Sequence, residues 1–205
     1  MSSIKWVLGT FLVWLTVFVQ TSLAAQFERQ GKNIVFQGEI VEGDLERLQS
    51  MVQRYGYLRI ELNSPGGLLS EALKIGAFVR SAGLATHIPR DATCASACVT
   101  IFAGGLLRTA HSNAKIGIHM GSAVFNERFV DAMDNVIKKY GTGATPYVVA
   151  MFEEGAASAM LKQVYFILEA GVSLKLLELT TLVPHNEIYW MSMDDAISVN
   201  LINYR

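Results

Sequence analysis

The segment from Leu58 to Gly76 constrains the fold most strongly, because it joins a strand pattern to a helix pattern through a tight turn. Apolar residues alternate along Leu58–Leu62, which predicts a strand. Ser64-Pro65-Gly66-Gly67 then predicts a turn, and apolar residues spaced three and four apart predict a helix after it. A glycine turn of this kind can direct bare backbone N–H groups at a ligand.

Two further segments carry chemically useful side chains. In Asp91–Gly105 a loop of small residues leads into an apolar helix, with Ser96 at the junction. A serine at a helix start is most often an N-cap, whose oxygen accepts a backbone N–H. In Ala114–Gly121 a short strand ends at His119. The chain therefore offers a candidate nucleophile, a donor turn and a candidate base.

These residue types suit acyl-transfer chemistry. A serine hydroxyl is a weak nucleophile that needs a base within hydrogen-bond reach, and a neutral imidazole can act as that base near pH 7. A helix N-terminus adds free N–H donors beside the reacting oxygen. Since losing one such donor typically costs about 10²–10³ in rate, the Gly67 position is important: a side chain there would obstruct the substrate carbonyl.

The wider pattern predicts a layered α/β domain. Strands at 33–40, 58–62, 85–88 and 116–119 alternate with helices at 43–52, 69–76 and 97–103, the order of a domain built from βαβ units. Catalytic turns then gather at the carboxyl ends of the strands. A length of 205 residues, 51% hydrophobic content and a net charge of -1 fit one domain and favour neither nucleic acid nor acidic surfaces as partners.

The N-terminus predicts export. Lys5 precedes an apolar run from Trp6 to Val19, and small residues that suit cleavage after Ala24 or Ala25 follow. Residues 1–25 are therefore interpreted as a signal peptide and 26–205 as a single mature domain in the periplasm or secreted. The apolar run falls short of the ~20 residues of a spanning helix. The alternative is an uncleaved inner-membrane anchor that faces the periplasm, the one case in which a membrane would be a partner.

The Ser-Pro-Gly-Gly turn, the Cys-Ala-Ser-Ala-Cys segment and Gly-Ile-His, in this order and spacing, resemble the Clp protease proteolytic subunit (ClpP) and its crotonase-like superfamily. The chain is most similar to secreted ClpP-like proteins of Gram-negative bacteria, from about Ile34 to Asn203. The resemblance implies a crotonase-like α/β fold of layered βαβ repeats with a C-terminal helical extension. It also implies site residues: Ser96 as nucleophile, His119 as general base, and the N–H groups of Gly67 and Ala97 as the oxyanion hole.

The resemblance implies less beyond His119. Predicted helices at 126–139, 146–154 and 158–169 occupy the family's handle region, at 126–180, and their apolar faces suit either a satellite core or a homo-oligomer interface. The family places a third catalytic acid where this chain has Ile188. Glu187, one residue earlier, is the candidate acid.

Several alternatives stay open at this stage. Cys94 and Cys98 flank Ser96, either as a disulfide or as two buried thiols. Lys115 shares strand parity with His119 and is a rival base. The other histidines are interpreted as surface or hydrogen-bonded residues: His87, His111 and His185. No metal-ligand spacing is visible, and no cofactor is expected.

The sequence as a whole predicts a serine-type hydrolase, an ATP-independent Clp-like peptidase acting on peptides or unfolded chains in the periplasm. The absence of an ATP-binding motif favours such limited substrates. One alternative is a non-catalytic ClpP-like interaction module, in which the site has decayed. The other is a crotonase-type enzyme, which would use the same oxyanion hole on an acyl thioester.

Overall fold

The computed structural model describes residues 25–56, 58–121 and 127–204, without the side chains of 127–129. The predicted signal sequence, at residues 1–24, lies outside these ranges. The strands are β1 Gln26–Gln30, β2 Asn33–Gln37, β3 Arg59–Asn63, β4 Ala85–Ile88, β5 Thr93–Ala95, β6 Arg108–Ala110, β7 Lys115–Ile118 and β8 Tyr189–Met191. The helices are α1 Asp44–Tyr55, α2 Leu69–Ser81, α3 Ala97–Gly104, α4 Glu127–Tyr140, α5 Thr145–Glu169, α6 Lys175–Thr181 and α7 Met193–Ser198.

Two sheets meet just beyond the carboxyl end of β3. The larger sheet has the order β1-β2-β3-β4-β6 and is parallel except for the β1–β2 hairpin; the smaller has the order β5-β7-β8, with β8 antiparallel. Just beyond β3, the Ser64 N–H donates to Thr93 O at 2.7 Å and the Ala95 N–H donates to Ser64 O at 3.1 Å. This bridge brings the carboxyl ends of β3 and β5 together, beside that of β7.

The structure confirms the predicted α/β fold and adds elements that the pattern did not show. The polar lead-in before Asn33 forms β1, and two three-residue strands, β5 and β6, lie in segments predicted as loops. The predicted helices at 146–154 and 158–169 are wrong as separate elements, because α5 runs unbroken through Gly155. A single interior glycine costs a helix only about 1 kcal/mol relative to alanine, which does not end it.

Helix α3 is buried along its whole length and packs closely on α2. A Cβ on Gly104 would lie 2.3 Å from Gly76 O, so the two helix backbones are in direct contact. A Cβ on Gly76 itself would lie 2.7 Å from the Phe166 ring of α5. These glycines allow close helix packing, which fixes the position of the α3 N-terminus and therefore of Ser96.

Arg108 is a buried cation held by backbone carbonyls. Its guanidinium donates to four of them at 2.7–3.2 Å: Gly105 O after α3, Ala170 O after α5, and Asn200 O and Leu201 O after α7. Burial, aided by repulsion from Arg80, lowers the pKa of Arg108 to about 10. This side chain ties three helix ends together, because the last carbonyls of a helix have no intrahelical donors.

The helical extension presents a large apolar surface. On α5, exposed apolar side chains are spread along the helix: Tyr147, Val149, Met151, Phe152, Met160, Leu161, Tyr165 and Leu168. The buried residues of α5 are Val148 near its start and Phe166 and Ile167 near its end. None of the helices within the described ranges is both long enough and apolar enough to cross a bilayer.

Candidate active site

Ser96 stands in a strained backbone conformation between β5 and α3. Its φ is 55° and its ψ is -126°, a region that costs a non-glycine residue about 1–3 kcal/mol. Its N–H donates to Gly117 O at 2.9 Å. The Ser96 hydroxyl makes no capping hydrogen bond to α3. The structure therefore does not support the N-cap interpretation, and the hydroxyl is left available for reaction.

The Gly66-Gly67 turn packs directly against Ser96. A Cβ on Gly66, at φ 108°, would lie 2.7 Å from Ser96 Cβ and 2.8 Å from Ala95 O. A Cβ on Gly67, at φ 134°, would lie 2.3 Å from Ile40 O. Glycine is required at both positions by the backbone conformation and by the lack of space.

The N–H groups of Gly67 and Ala97 are both unpaired among the described residues. Gly67 forms a parallel bridge with Ile40, in which the Ile40 N–H donates to Gly66 O at 2.7 Å and the Leu68 N–H donates to Ile40 O at 2.9 Å. In parallel pairing the central residue's own N–H points away from its partner. Ala97 is the first residue of α3, where an N–H has no intrahelical acceptor. Two free donors are thus available, one from the glycine turn that packs against Ser96 and one from the first residue of α3.

Glu71, which no sequence pattern indicated, connects α2, the helix after the glycine turn, to the N-terminus of α1. Its buried carboxylate accepts N–H groups from Gly43 at 3.2 Å and Leu45 at 3.0 Å, and pairs with Lys74 at 3.1 Å. Burial raises the pKa of Glu71, but the Leu45 N–H and the Lys74 ammonium outweigh it and leave the pKa below its ordinary value. The carboxylate holds the α1 N-terminus against the helix that follows Gly67.

His119 follows β7 at the same end of the small sheet. Ala95 pairs with Gly117, and His119 lies two residues further on, so its side chain shares the Gly117 face of the sheet. The side chain is half-buried. Its Nδ1 atom is buried and has no hydrogen-bond partner among the described residues. Among the described residues, the imidazole therefore has no acceptor of the kind that usually fixes the tautomer of a catalytic histidine.

The structure does not place Glu187 as that acceptor. The β7–β8 register pairs Ile118 with Tyr189, and one further step places Ile188 opposite His119. Ile188 Cγ2 lies 2.8 Å from the point where a Cβ on Gly117 would stand, so its side chain is on the His119 face. Glu187 is exposed, and its N–H donates to Pro184 O at 3.0 Å in the turn that precedes Ile188. Ile188, and not Glu187, is therefore the residue opposite His119 in the β7–β8 register.

Cys94 and Cys98 form a disulfide that closes a short loop around Ser96. Their Cα atoms are 5.2 Å apart, and both residues are fully buried. Cys94 lies in the middle of β5, and Cys98 is the second residue of α3. Of the two alternatives left open by the sequence, the structure contains the bridge.

The rival base is not brought to the nucleophile. Lys115 is exposed and pairs with Thr93, at the end of β5 and β7 that is remote from Ser96. His87 Nδ1 is hydrogen-bonded to Thr109 Oγ1 at 2.7 Å, and burial lowers its pKa. His111 Nδ1 accepts the N–H of a neighbouring turn residue at 3.0 Å. Within the described ranges, no group of three histidine, cysteine or carboxylate residues could hold a metal ion.

Comparison with known proteins identifies the fold. No family model and no curated protein sequence matches the chain. Among solved structures, the chain is similar to a mutant of ClpP1 from Listeria monocytogenes, with a TM-score of 0.53 and 18% identity over 84% of this chain and 89% of that one. The chain therefore has a ClpP-type fold, with the strand and helix order described above.

Proposed function

We propose that the chain is a serine hydrolase that cleaves peptides or unfolded chains without ATP. The observation that carries the proposal is the uncapped hydroxyl of Ser96, held in a strained turn against the Gly66-Gly67 backbone. Strained, non-glycine positive φ angles cluster at functional sites. The N–H groups of Gly67 and Ala97, which are unpaired among the described residues, and the histidine at the end of β7 supply the other parts of an acyl-transfer site.

The proposed reaction follows the usual order of serine catalysis. Ser96 Oγ attacks the substrate carbonyl carbon while the His119 imidazole takes the hydroxyl proton. The N–H groups of Gly67 and Ala97 donate to the oxyanion that develops on the carbonyl oxygen. His119 then returns its proton to the leaving amine. Water, deprotonated by His119, hydrolyses the acyl-serine and regenerates the enzyme.

A non-catalytic interaction module is the second candidate, and one observation favours it. His119 Nδ1 is buried and has no hydrogen-bond partner in the described part of the chain, and Ile188 stands opposite His119 in the sheet register. In a serine protease, loss of the acid can cost about 10⁴ in rate. A Ser-His dyad in this chain should therefore be slow, and a module that only binds unfolded chains would not need the acid at all.

We also propose that the protein works after export, as a homo-oligomer. Export is supported by the N-terminal sequence pattern and by the disulfide, since disulfides persist in oxidising compartments. Self-association is supported by the exposed apolar side chains along α5, since exposed apolar patches often mark protein–protein interaction sites. Analytical ultracentrifugation of the exported protein tests it: a species heavier than one chain is expected, and a monomer at all concentrations would contradict self-association.

Hydrolysis of a quenched fluorescent peptide library, without nucleotide, tests the proposed activity. The wild-type protein should release fluorescence, whereas Ser96→Ala should release none. Lys115→Ala serves as the matched control, because Lys115 is exposed at the remote end of the same strand. Equal hydrolysis by wild-type and Ser96→Ala proteins would exclude Ser96 as the nucleophile.

A further inference from the structure

The disulfide spans only the segment that carries the candidate nucleophile. Cys94 is held in β5, where it pairs with Ile116 on one side and bridges Ser64 on the other. Cys98 is held in α3, which is buried throughout. The intervening residues, 95–97, contain Ser96 at their centre. The sulfur bridge therefore sets the distance between two rigid elements across a three-residue link.

That link is under conformational strain. A φ of 55° is unfavourable for serine, and relaxation to an ordinary φ would change where the Ser96 hydroxyl and the Ala97 N–H lie. The non-covalent restraints on the link are backbone contacts: the Ala95 N–H donates to Ser64 O, the Ser96 N–H donates to Gly117 O, the Val99 N–H donates to Ser96 O, and the Gly66 backbone packs beneath Ser96. Strained conformations persist only when the surroundings over-determine them, and the disulfide is the covalent part of those surroundings.

We propose that the Cys94–Cys98 disulfide positions Ser96 for nucleophilic attack, and that its reduction lowers the reactivity of the site. This inference rests on the proposed hydrolase function. The reductant is a dithiol: one thiolate attacks a cystine sulfur to form a mixed disulfide, and its second thiol then displaces that sulfur. Two electrons and two protons pass to Cys94 and Cys98, which become thiols, and the dithiol becomes a cyclic disulfide.

Burial determines how this redox control works. Neither cysteine is accessible to solvent, so a reductant reaches the sulfur atoms only when the β5–α3 junction opens. Reduction should accordingly be slow in the folded protein and much faster in mild denaturant. The folded, oxidised site therefore resists brief exposure to thiols and loses reactivity under sustained reduction.

Serine-probe kinetics on three samples test the proposal: oxidised, reduced by dithiothreitol, and reoxidised, with thiols counted in each. The inactivation rate constant of a fluorophosphonate should fall about 10- to 100-fold on reduction, as expected for a small misplacement of a reacting group. The half-saturating probe concentration should change little, and reoxidation should restore the rate. The Cys94→Ala/Cys98→Ala variant should be labelled at the rate of the reduced sample, and dithiothreitol should not change that rate.

A core variant separates positioning from stability. Leu48→Ala truncates a fully buried side chain on α1, remote in the chain from the bridge, and should lower Tm without slowing labelling at 25 °C. If the reduced and double-alanine proteins label as fast as the oxidised protein, the proposal is overturned. Amide hydrogen exchange tests the proposal without any catalytic reaction. The Ser96 N–H should exchange faster after reduction, and an unchanged exchange rate also overturns the proposal. Absence of labelling in oxidised wild type counts against the hydrolase function alone.

Discussion

Ile188→Asp should accelerate the reaction of Ser96. The β7–β8 register places residue 188 opposite His119 and on its face, and the buried Nδ1 atom of His119 has no hydrogen-bond partner within residues 25–56, 58–121 and 127–204. A carboxylate at position 188 would accept the Nδ1 proton, fix the tautomer and stabilise the imidazolium formed during attack. The substitution would supply the group that the chain lacks at this position.

The size of the effect follows from the exposure of the position. Loss of the acid from a complete triad costs about 10⁴ in rate, which sets the upper limit. Ile188 is 44% exposed, so water would screen the new carboxylate and weaken its effect on the imidazolium. We expect a rise of about 10- to 1,000-fold in the second-order rate of fluorophosphonate labelling, or about 1.4–4 kcal/mol of barrier.

Three matched variants define the assay. Ile188→Leu keeps an aliphatic group and should label like wild type, whereas Ile188→Asn, which accepts a hydrogen bond without a charge, should fall in between. Glu187→Gln should label at the wild-type rate, because the β7–β8 register places Ile188, and not residue 187, opposite His119. The register argument is refuted if Ile188→Asp labels no faster than Ile188→Leu, or if Glu187→Gln slows labelling tenfold.

Three other predictions concern packing and pH. Arg108→Leu should lower the free energy of unfolding in urea by about 3–5 kcal/mol, since three buried carbonyls and the partly buried Asn200 O lose their donor, whereas Leu in place of the exposed Arg90 should change it by less than about 0.5 kcal/mol. Gly67→Ala should abolish labelling and lower Tm, because its Cβ would lie 2.3 Å from a backbone oxygen; Gly155→Ala, which meets nothing within 4 Å, should do neither. Burial depresses the pKa of His87 below its ordinary value of 6.5. The free energy of unfolding should therefore fall as the pH drops below about 6.5, the pKa of histidine in the unfolded chain. His87→Gln should reduce the difference between the free energies of unfolding measured in urea at about pH 7.5 and about pH 5.

Local patterns in the sequence were sufficient for the elements that carry the site. The alternation of Leu58–Leu62 and the apolar spacing after Gly67 correspond to β3 and α2. The Ser96 segment also lies where expected, before a buried helix. These features are set by residues close together in the chain, which is why periodicity and turn composition predict them.

Features that depend on distant contacts could not be predicted in the same way. The three residues of β6 form a strand because they pair with β4, and Arg108 within it is buried because carbonyls more than 60 positions away accept its N–H groups. The position of Glu187 depended on the β7–β8 register. A shift of one residue changes which side chain stands opposite another in a sheet, so only the register could show that Ile188, one residue after Glu187, stands opposite His119.

The claim that Ser96 is the nucleophile is tested most directly by locating the probe. The folded, oxidised protein is treated with a fluorophosphonate, digested, and analysed by mass spectrometry to find the modified residue. We predict one adduct per chain, on Ser96, formed much more slowly in His119→Ala and absent from Ser96→Ala. An adduct on another residue, or no adduct at saturating probe on protein with its Cys94–Cys98 bridge intact, would contradict the account.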